Sequence, residues 1–442
     1  MNLARMLSAR AAEGRPIGVG LIGAGKFGTM FLAQARLTPG FKLVGIADLS
    51  HQRIHDALER TGWAADEVPT TDDAAALVAA DGVEVVVEVT GDPAAGAAHA
   101  LAAFAAGRHV VMVTVEGDAL VGPLLARRAR EAGVLYSLAY GDQPALICEL
   151  VDWARASGFE VICAGKGTKY LPHYHASTPD TVWEHYGFDP EMVAGGDYNA
   201  RMFNSFLDGT KSAIEMAAVA NATGLKPPAR GLDFPPCEVD ELSAKLIPQS
   251  EGGVLDRAGT VEVISSLARN GTPLAHDLRW GVYVTFAAPS EYARRSFLEY
   301  GLKTDASGRY ASLYRPYHLI GLELGISVAS VALRGEATGA PSAFHADVVA
   351  TAKRDLVAGE ALDGEGGYTV HGRLMPAAAS LSSGALPLGL ANGLRLARPV
   401  AAGTAVGWDD VEPPPATPIL ALRREMETLF APAGAATLSP RA

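Results

Sequence analysis

Along the first third of the chain, short uninterrupted apolar runs alternate with stretches whose apolar positions recur every three or four residues. The runs at 17–22, 42–47, 83–89, 109–114 and 135–139 predict strands, and the stretches between them, among them 94–106 and 119–131, predict helices. Strict alternation of this kind implies a doubly wound parallel sheet with helices on both faces, and so an α/β fold. After Gly158 the texture changes. A strand at 159–165, a polar stretch up to Lys211, a helix at 208–222 and strands at 260–265 and 281–287 predict an α+β second domain. The apolar segment 313–333 reads as one long helix returning to the first domain. Beyond Pro341, short strands broken by glycines, at 347–352 and 355–360, predict a small β-rich module. The expected divisions are 1–152, 153–340, 341–425 and a disordered Ala/Pro/Ser-rich tail at 426–442, with an amphipathic helix at the start capping the first domain or lying in a subunit contact.

The first strand runs into Gly23-Ala24-Gly25-Lys26-Phe27-Gly28, a G-x-G-x-x-G turn that opens a helix. The first glycine permits the tight turn, the second lets backbone approach a pyrophosphate, and the third lets helix and strand lie close. Asp48 ends the second strand, about 20 residues beyond, where a carboxylate can bind a ribose hydroxyl. The first domain is therefore expected to be a Rossmann-type dinucleotide site. Gly23, Gly25, Lys26, Phe27, Gly28, Asp48, Arg53, Thr90, Gly91 and Glu116 are its candidate cofactor residues, because all lie in turns at the carboxyl ends of strands or just beyond them. Arg53, with His51 and Ser50, suits a 2′-phosphate, whereas Asp48 suits a free ribose.

Composition narrows the partners. With 37 Lys and Arg against 49 Asp and Glu the net charge is −12, and no basic block appears, which argues against nucleic acid or an anionic membrane. No apolar run reaches the length of a membrane span. Three cysteines, Cys148, Cys163 and Cys237, lack metal spacing and make a disulfide framework improbable, so a reducing cytoplasm is expected.

Two polar clusters could carry chemistry. Lys166-Gly167-Thr168-Lys169-Tyr170-Leu171-Pro172-His173-Tyr174-His175 follows the strand that enters the second domain, and its lysines and His173 suit an anionic substrate. In the second cluster, Asp208, Lys211 and Glu215 share one helix face at a spacing of three and four, with Asn199, Asn204 and Ser205 just before them. Flanking apolar residues imply a buried helix, where charge persists only when paired or functional. Lys166, Lys169, Asp208 and Lys211 are the catalytic candidates; His173, Asn199, Asn204, Ser205 and His318 are the substrate-binding ones. Asp197 and Glu215 are open as ligands of a hard cation such as magnesium or manganese, although no diagnostic ligand motif is present.

These stretches, together with His109 to Glu116 and the terminal module, resemble the homoserine dehydrogenase-like group that carries a C-terminal SAF module and includes 1-deoxy-D-xylulose 5-phosphate reductoisomerase-like enzymes. Gly167-Thr168-Lys169-Tyr170-Leu171 is also similar to a strand end of true homoserine dehydrogenases, but Val115-Glu116 stands where those enzymes carry an Asn-Lys pair. The resemblance implies a homodimeric oxidoreductase using NADP(H) in preference to NAD(H), acting on a small polar anionic hydroxy or keto substrate. A reductoisomerase-type reaction on a sugar phosphate ranks first and homoserine-type oxidation second. A non-catalytic nucleotide-sensing or assembly protein is the alternative of another class.

Overall fold

The computed structural model describes residues 2–64, 66–189, 191, 193 and 198–430. The chain forms two compact units, one of Met1–Glu149 with His318–Ser342 and the other of Leu150–Tyr317 with Ala343–Ala442.

In the first unit the strands are β1 (Ile17–Ile22), β2 (Phe41–Ala47), β3 (Thr70–Thr71), β4 (Val85–Glu88), β5 (His109–Met112) and β6 (Tyr136–Leu138). They form one sheet in the order β3-β2-β1-β4-β5-β6, and every neighbouring pair is parallel. This is the Rossmann order, with its reversal between β1 and β4. The inner strands β1 and β4 are buried along their whole length, which is why they read as continuous apolar runs rather than alternating ones. The helix Leu3–Ala12 lays Leu3 and Leu7 into the same core.

The apolar segment 313–333 divides differently from the single helix expected of it. Residues up to Arg315 complete a strand of the second unit, and the helix is confined to Gly325–Arg334 in the first. Pro316 cannot donate a backbone hydrogen bond, and Gly321 takes a left-handed φ of +69°, so neither continuing strand nor helix passes through the intervening residues. The helix buries Val328, Ala329 and Val331 against β-strand residues of the first unit's core, as expected for the returning segment.

The second unit holds β7 (Glu160–Thr168), β8 (Thr260–Ser265), β9 (Val282–Ala287) and β10 (Tyr310–Arg315), in the order β10-β9-β7-β8. The sheet is mixed: β7 runs parallel to β8 and antiparallel to β9. The helix Thr210–Thr223, buried from Ser212 to Asn221, packs on β7 and β8. It also packs on β11 (Ala346–Ala352) and β12 (Val370–Pro376), an antiparallel pair that begins the terminal module. The segment 355–360, expected as a strand, contributes only a bridge between Leu356 and Val400.

A helix, Pro418–Phe430, closes the module and extends into the stretch expected to be a disordered tail; residues 431–442 lie outside those described. Arg423 is its anchor. The guanidinium is fully buried and donates two hydrogen bonds to Asp347 of β11, at 3.0 and 2.6 Å, and one to Glu427. Removing one side of a buried pair leaves an uncompensated charge, so Arg423→Ala is expected to cost roughly 3–5 kcal/mol. Urea unfolding of the variant checks this, and a loss within the error of the measurement would rule the anchor out.

Candidate active site

At the carboxyl end of β1 the chain turns through Gly23, whose φ of +108° suits glycine alone. A Cβ on Gly28 would lie 2.4 Å from the carbonyl oxygen of Gly23, so the third glycine is required for the helix Lys26–Ala35 to sit this close. Gly25 differs from both. A Cβ there would meet nothing within 4 Å, which leaves open space at the helix N-terminus. Gly25 makes no side-chain cap, so the first-turn N–H groups, those of Lys26, Phe27 and Gly28, face that end without one. The cradle therefore fits a dinucleotide pyrophosphate by shape and by dipole.

Asp48 is drawn into this loop. It accepts from the backbone N–H of Ala24 and of Ser50, each at 2.9 Å, and from Arg53 Nη1 at 3.1 Å. The Arg53 side chain remains more than half exposed, whereas that of Asp48 is 6% exposed. Thr90 and Gly91 follow β4 and are held by a residue that the sequence reading passed over. Glu88, fully buried at the end of β4, accepts from Thr90 Oγ1 at 2.6 Å and from Thr114 Oγ1 at 2.5 Å, and lies 3.3 Å from His99 Nδ1. Thr114 in turn accepts from the Gly91 N–H. Glu116 stands in the first turn of the helix Val115–Glu131. An acidic residue inside an apolar strand was the available signal for Glu88.

In the second unit, Lys166 points from β7 into the interior and is ion-paired with Glu215 of the helix Thr210–Thr223; both are nearly inaccessible. The glycines beside it do not make room for a ligand. A Cβ on Gly165 or Gly167 would meet the backbone oxygen of Glu262 or Leu278, so they admit neighbouring backbone instead. Lys169 is half-buried, donates to the backbone oxygen of His185 at 2.5 Å and lies 5.5 Å from the Tyr186 ring centroid. Burial, followed by the nearby Arg279 charge, lowers its pKa. His173 is exposed in the turn Pro172–Ala176.

Asp208 is wholly buried at the start of the helix Thr210–Thr223. Its ion partner is Lys353, just beyond β11, at 2.7 Å. Burial pushes the Asp208 pKa up, and the Lys353 ammonium opposes that shift. Lys211 follows in the helix's first turn.

Three of the expected substrate ligands have structural work. Asn199 caps the helix Ala200–Leu207 by accepting from the Met202 N–H, and Ser205 donates to the Met202 carbonyl. Asn204 donates to Ser177 O at 3.1 Å and Gly366 O at 3.0 Å, and accepts from Ser177 Oγ, which ties two loops together. The three are polar because backbone groups need partners there. His318 is in the first unit, ahead of the helix Gly325–Arg334 and not within it.

Glu215 is unsuited to a metal because the Lys166 ammonium already occupies its carboxylate and would repel a cation. Asp197 lies outside the described residues. Among those described, no group of three or more His, Cys, Asp or Glu side chains is arranged to hold a metal. No described helix is long and apolar enough to cross a membrane.

Residues 17–113 match the model of an oxidoreductase family with an NAD-binding Rossmann fold, residues 141–324 that of the oxidoreductase DRL catalytic domain, and residues 347–412 that of the SAF domain. In chain order, the matched segments are thus similar to an NAD-binding Rossmann domain, a DRL catalytic domain and a SAF domain. No curated protein sequence matches it. Solved structures with similar folds include an NAD-binding oxidoreductase from Klebsiella pneumoniae, 23% identical over 37% of this chain and 47% of that one, with a TM-score of 0.29. Biliverdin reductase from Synechocystis is 22% identical over 40% of this chain and 55% of its own, with a TM-score of 0.28. The WlbA dehydrogenase from Bordetella pertussis is 22% identical over 35% and 48%, also at 0.28. The chain spans about half the length of these three structures.

Glu88 is expected to hold the β4 turn in shape. Glu88→Ala, which leaves two threonine hydroxyls without their acceptor, should lower stability by roughly 2–4 kcal/mol, and Glu88→Gln by less. Denaturant unfolding of the pair checks the order; equal losses would mean that packing rather than hydrogen bonding is at stake.

Proposed function

We propose that the protein is an NADP(H)-dependent oxidoreductase acting on a small, polar, anionic hydroxy or keto compound, with a sugar phosphate of the 1-deoxy-D-xylulose 5-phosphate type as the first candidate. The observation that carries this reading is the pair of buried ion pairs flanking the first turns of the helix Thr210–Thr223, Lys166 with Glu215 and Lys353 with Asp208. Burying four charged groups opposes folding unless their fields are used, and a site where charge develops on a carbonyl oxygen is such a use.

Gly23, Gly25 and Gly28 with the helix N-terminus would hold the cofactor's phosphates, and Asp48 and Arg53 its adenosine ribose. The nicotinamide, when bound, supplies or accepts the hydride. Lys211 would donate the proton that the substrate oxygen gains on reduction and would take up the hydroxyl proton in the reverse, oxidising direction. Asp208, fixed by Lys353 and by the Thr210 N–H at 2.9 Å, sets the backbone from which Lys211 projects. Lys169 and His173 attract the anionic end of the substrate. Arg53 supports NADP(H) over NAD(H) in this reading. With Asp48 already accepting from two backbone N–H groups and the guanidinium, its charge is compensated, and the exposed guanidinium can receive a 2′-phosphate.

Lys211→Ala is expected to reduce turnover by about 100-fold or more while leaving NADPH affinity within a few-fold. A cofactor-oxidation assay over sugar phosphates and keto acids supplies the rate, and undiminished turnover in the variant would remove Lys211 from the mechanism. Arg53→Ala should weaken NADPH binding by about tenfold and NADH binding by less. Fluorescence titration separates the two, and parallel losses would contradict the assigned cofactor preference.

A further inference from the structure

A cavity of about 310 Å³ lies in the second unit, walled by the turn that carries His173, by the loop from Arg230 to Phe234, and by β11 and β12 of the SAF module. Its volume is at the small end of the range for metabolite sites. Some of its polar side chains are fully occupied. Lys353 Nζ, besides Asp208, donates to Ser177 O and Gly367 O, both at 2.7 Å. His175 uses one ring nitrogen on Asp208 O at 2.7 Å and the other on the Tyr170 hydroxyl at 2.9 Å. These groups build the wall and have little left to give a ligand.

Thr351 and His371 are different. They face each other across the β11–β12 register, are 2% and 6% exposed, and leave Thr351 Oγ1 and His371 Nδ1 without hydrogen-bond partners. Buried polar atoms without partners are costly, and two opposite one another in a cavity wall call for a shared partner. His371 stacks on His175 at 4.4 Å between ring centroids. Burial, then the neighbouring His175, drives its pKa well down, so its imidazole is neutral and has one N–H to give and one nitrogen to accept.

Charge supplies the remaining term. Arg373 falls two residues beyond His371 and so on the same face of β12. It donates to the backbone oxygen of Arg230 at 2.9 Å, which brings the two guanidinium-bearing residues together on the cavity wall. Lys353 is balanced by Asp208, which leaves these two arginines as the wall's positive charge.

We infer that this cavity binds a compact oxyanion, a phosphate monoester or a carboxylate, with Arg230 and Arg373 on the anionic group and Thr351 and His371 on a neighbouring hydroxyl or carbonyl. The SAF module thereby becomes part of a ligand site, contributing three of these four side chains. The inference rests on the proposed function and deepens it: His173, which that reading sets at the substrate's anionic end, lines the same cavity, and the two arginines rather than Lys169 hold the anionic group there; binding measured without cofactor tests this apart from turnover.

The test is isothermal titration of the full-length protein with glycerol 3-phosphate and with malonate. Saturable binding of at least one probe is expected, and the stronger of the two identifies a phosphoryl or a carboxylate group as the natural anion. Arg373→Ala and Arg230→Ala should each weaken it by about tenfold. Arg373→Lys should lose less. Arg395→Ala, which removes an exposed module arginine that donates to Gly359 O, should bind as the parent does. Absence of saturable binding to both probes overturns the inference. So does unchanged affinity in both alanine variants when their thermal melts match the parent. Binding that follows this pattern in a protein without hydride-transfer activity would keep the cavity and remove the oxidoreductase reading.

Discussion

The second unit depends on one ammonium group. Lys353 Nζ, with three donors and no acceptor, meets one carboxylate and two backbone carbonyls, and its side chain is 2% exposed. Those three acceptors come from the start of the helix Thr210–Thr223, from the segment after the β7 turn, and from the module's own loop. A buried cation with that set of partners forces the three segments into one arrangement, because withdrawing any of them strands a charge in a medium that cannot solvate it. Asn204 reinforces the arrangement from the neutral side, binding the same Ser177 carbonyl and the Gly366 carbonyl next to Gly367. The terminal module is thus tied into the catalytic domain by polar groups that admit no slippage, whereas apolar packing alone tolerates substitution of similar volume.

The first unit is governed by a steric constraint. Its helix and strands approach so closely around the first loop that side chains are forbidden at two glycines and open space is left at the third. Electrostatics then complete the site: Asp48 and Glu88, one at the end of each of the two strands flanking β1, each collect backbone or hydroxyl donors and so fix the loops on either side of the sheet's reversal.

Features encoded by local pattern were legible in the sequence. Five of the six Rossmann strands are legible because burial makes them largely continuous apolar runs, whereas the two-residue β3 has no such run, and the turn at 23–28 is legible because its glycine spacing has a steric cause. The second unit's polar residues were harder to sort. Asn199, Ser205 and Asn204 looked like ligands, yet each satisfies backbone groups at a helix end or between loops, and composition alone does not distinguish the two uses. Glu215 looked free to bind a cation until its partner, Lys166, was seen to come from a different element. Lys353, Thr351 and His371 escaped notice for the converse reason. The ion pair of Lys353 with Asp208 and the cross-strand placing of Thr351 opposite His371 each join positions far apart along the chain, so no window of sequence contains them. The segment 313–333 shows the same limit at the level of elements, since apolarity marked it as buried without marking where strand gives way to helix.

The interleaving of the two units along the chain has a consequence for biogenesis. The nucleotide-binding core includes Leu324, Val328, Ala329 and Val331, which are synthesised only after most of the second unit. A ribosome that has released residues 1–149 has therefore delivered the whole parallel sheet but not the helix that covers part of its apolar surface. The nascent amino-terminal half must keep that surface from aggregating until the later segment arrives. Folding of this protein cannot proceed strictly from the amino terminus, domain by domain, and the step that seals the cofactor-binding unit belongs late in translation.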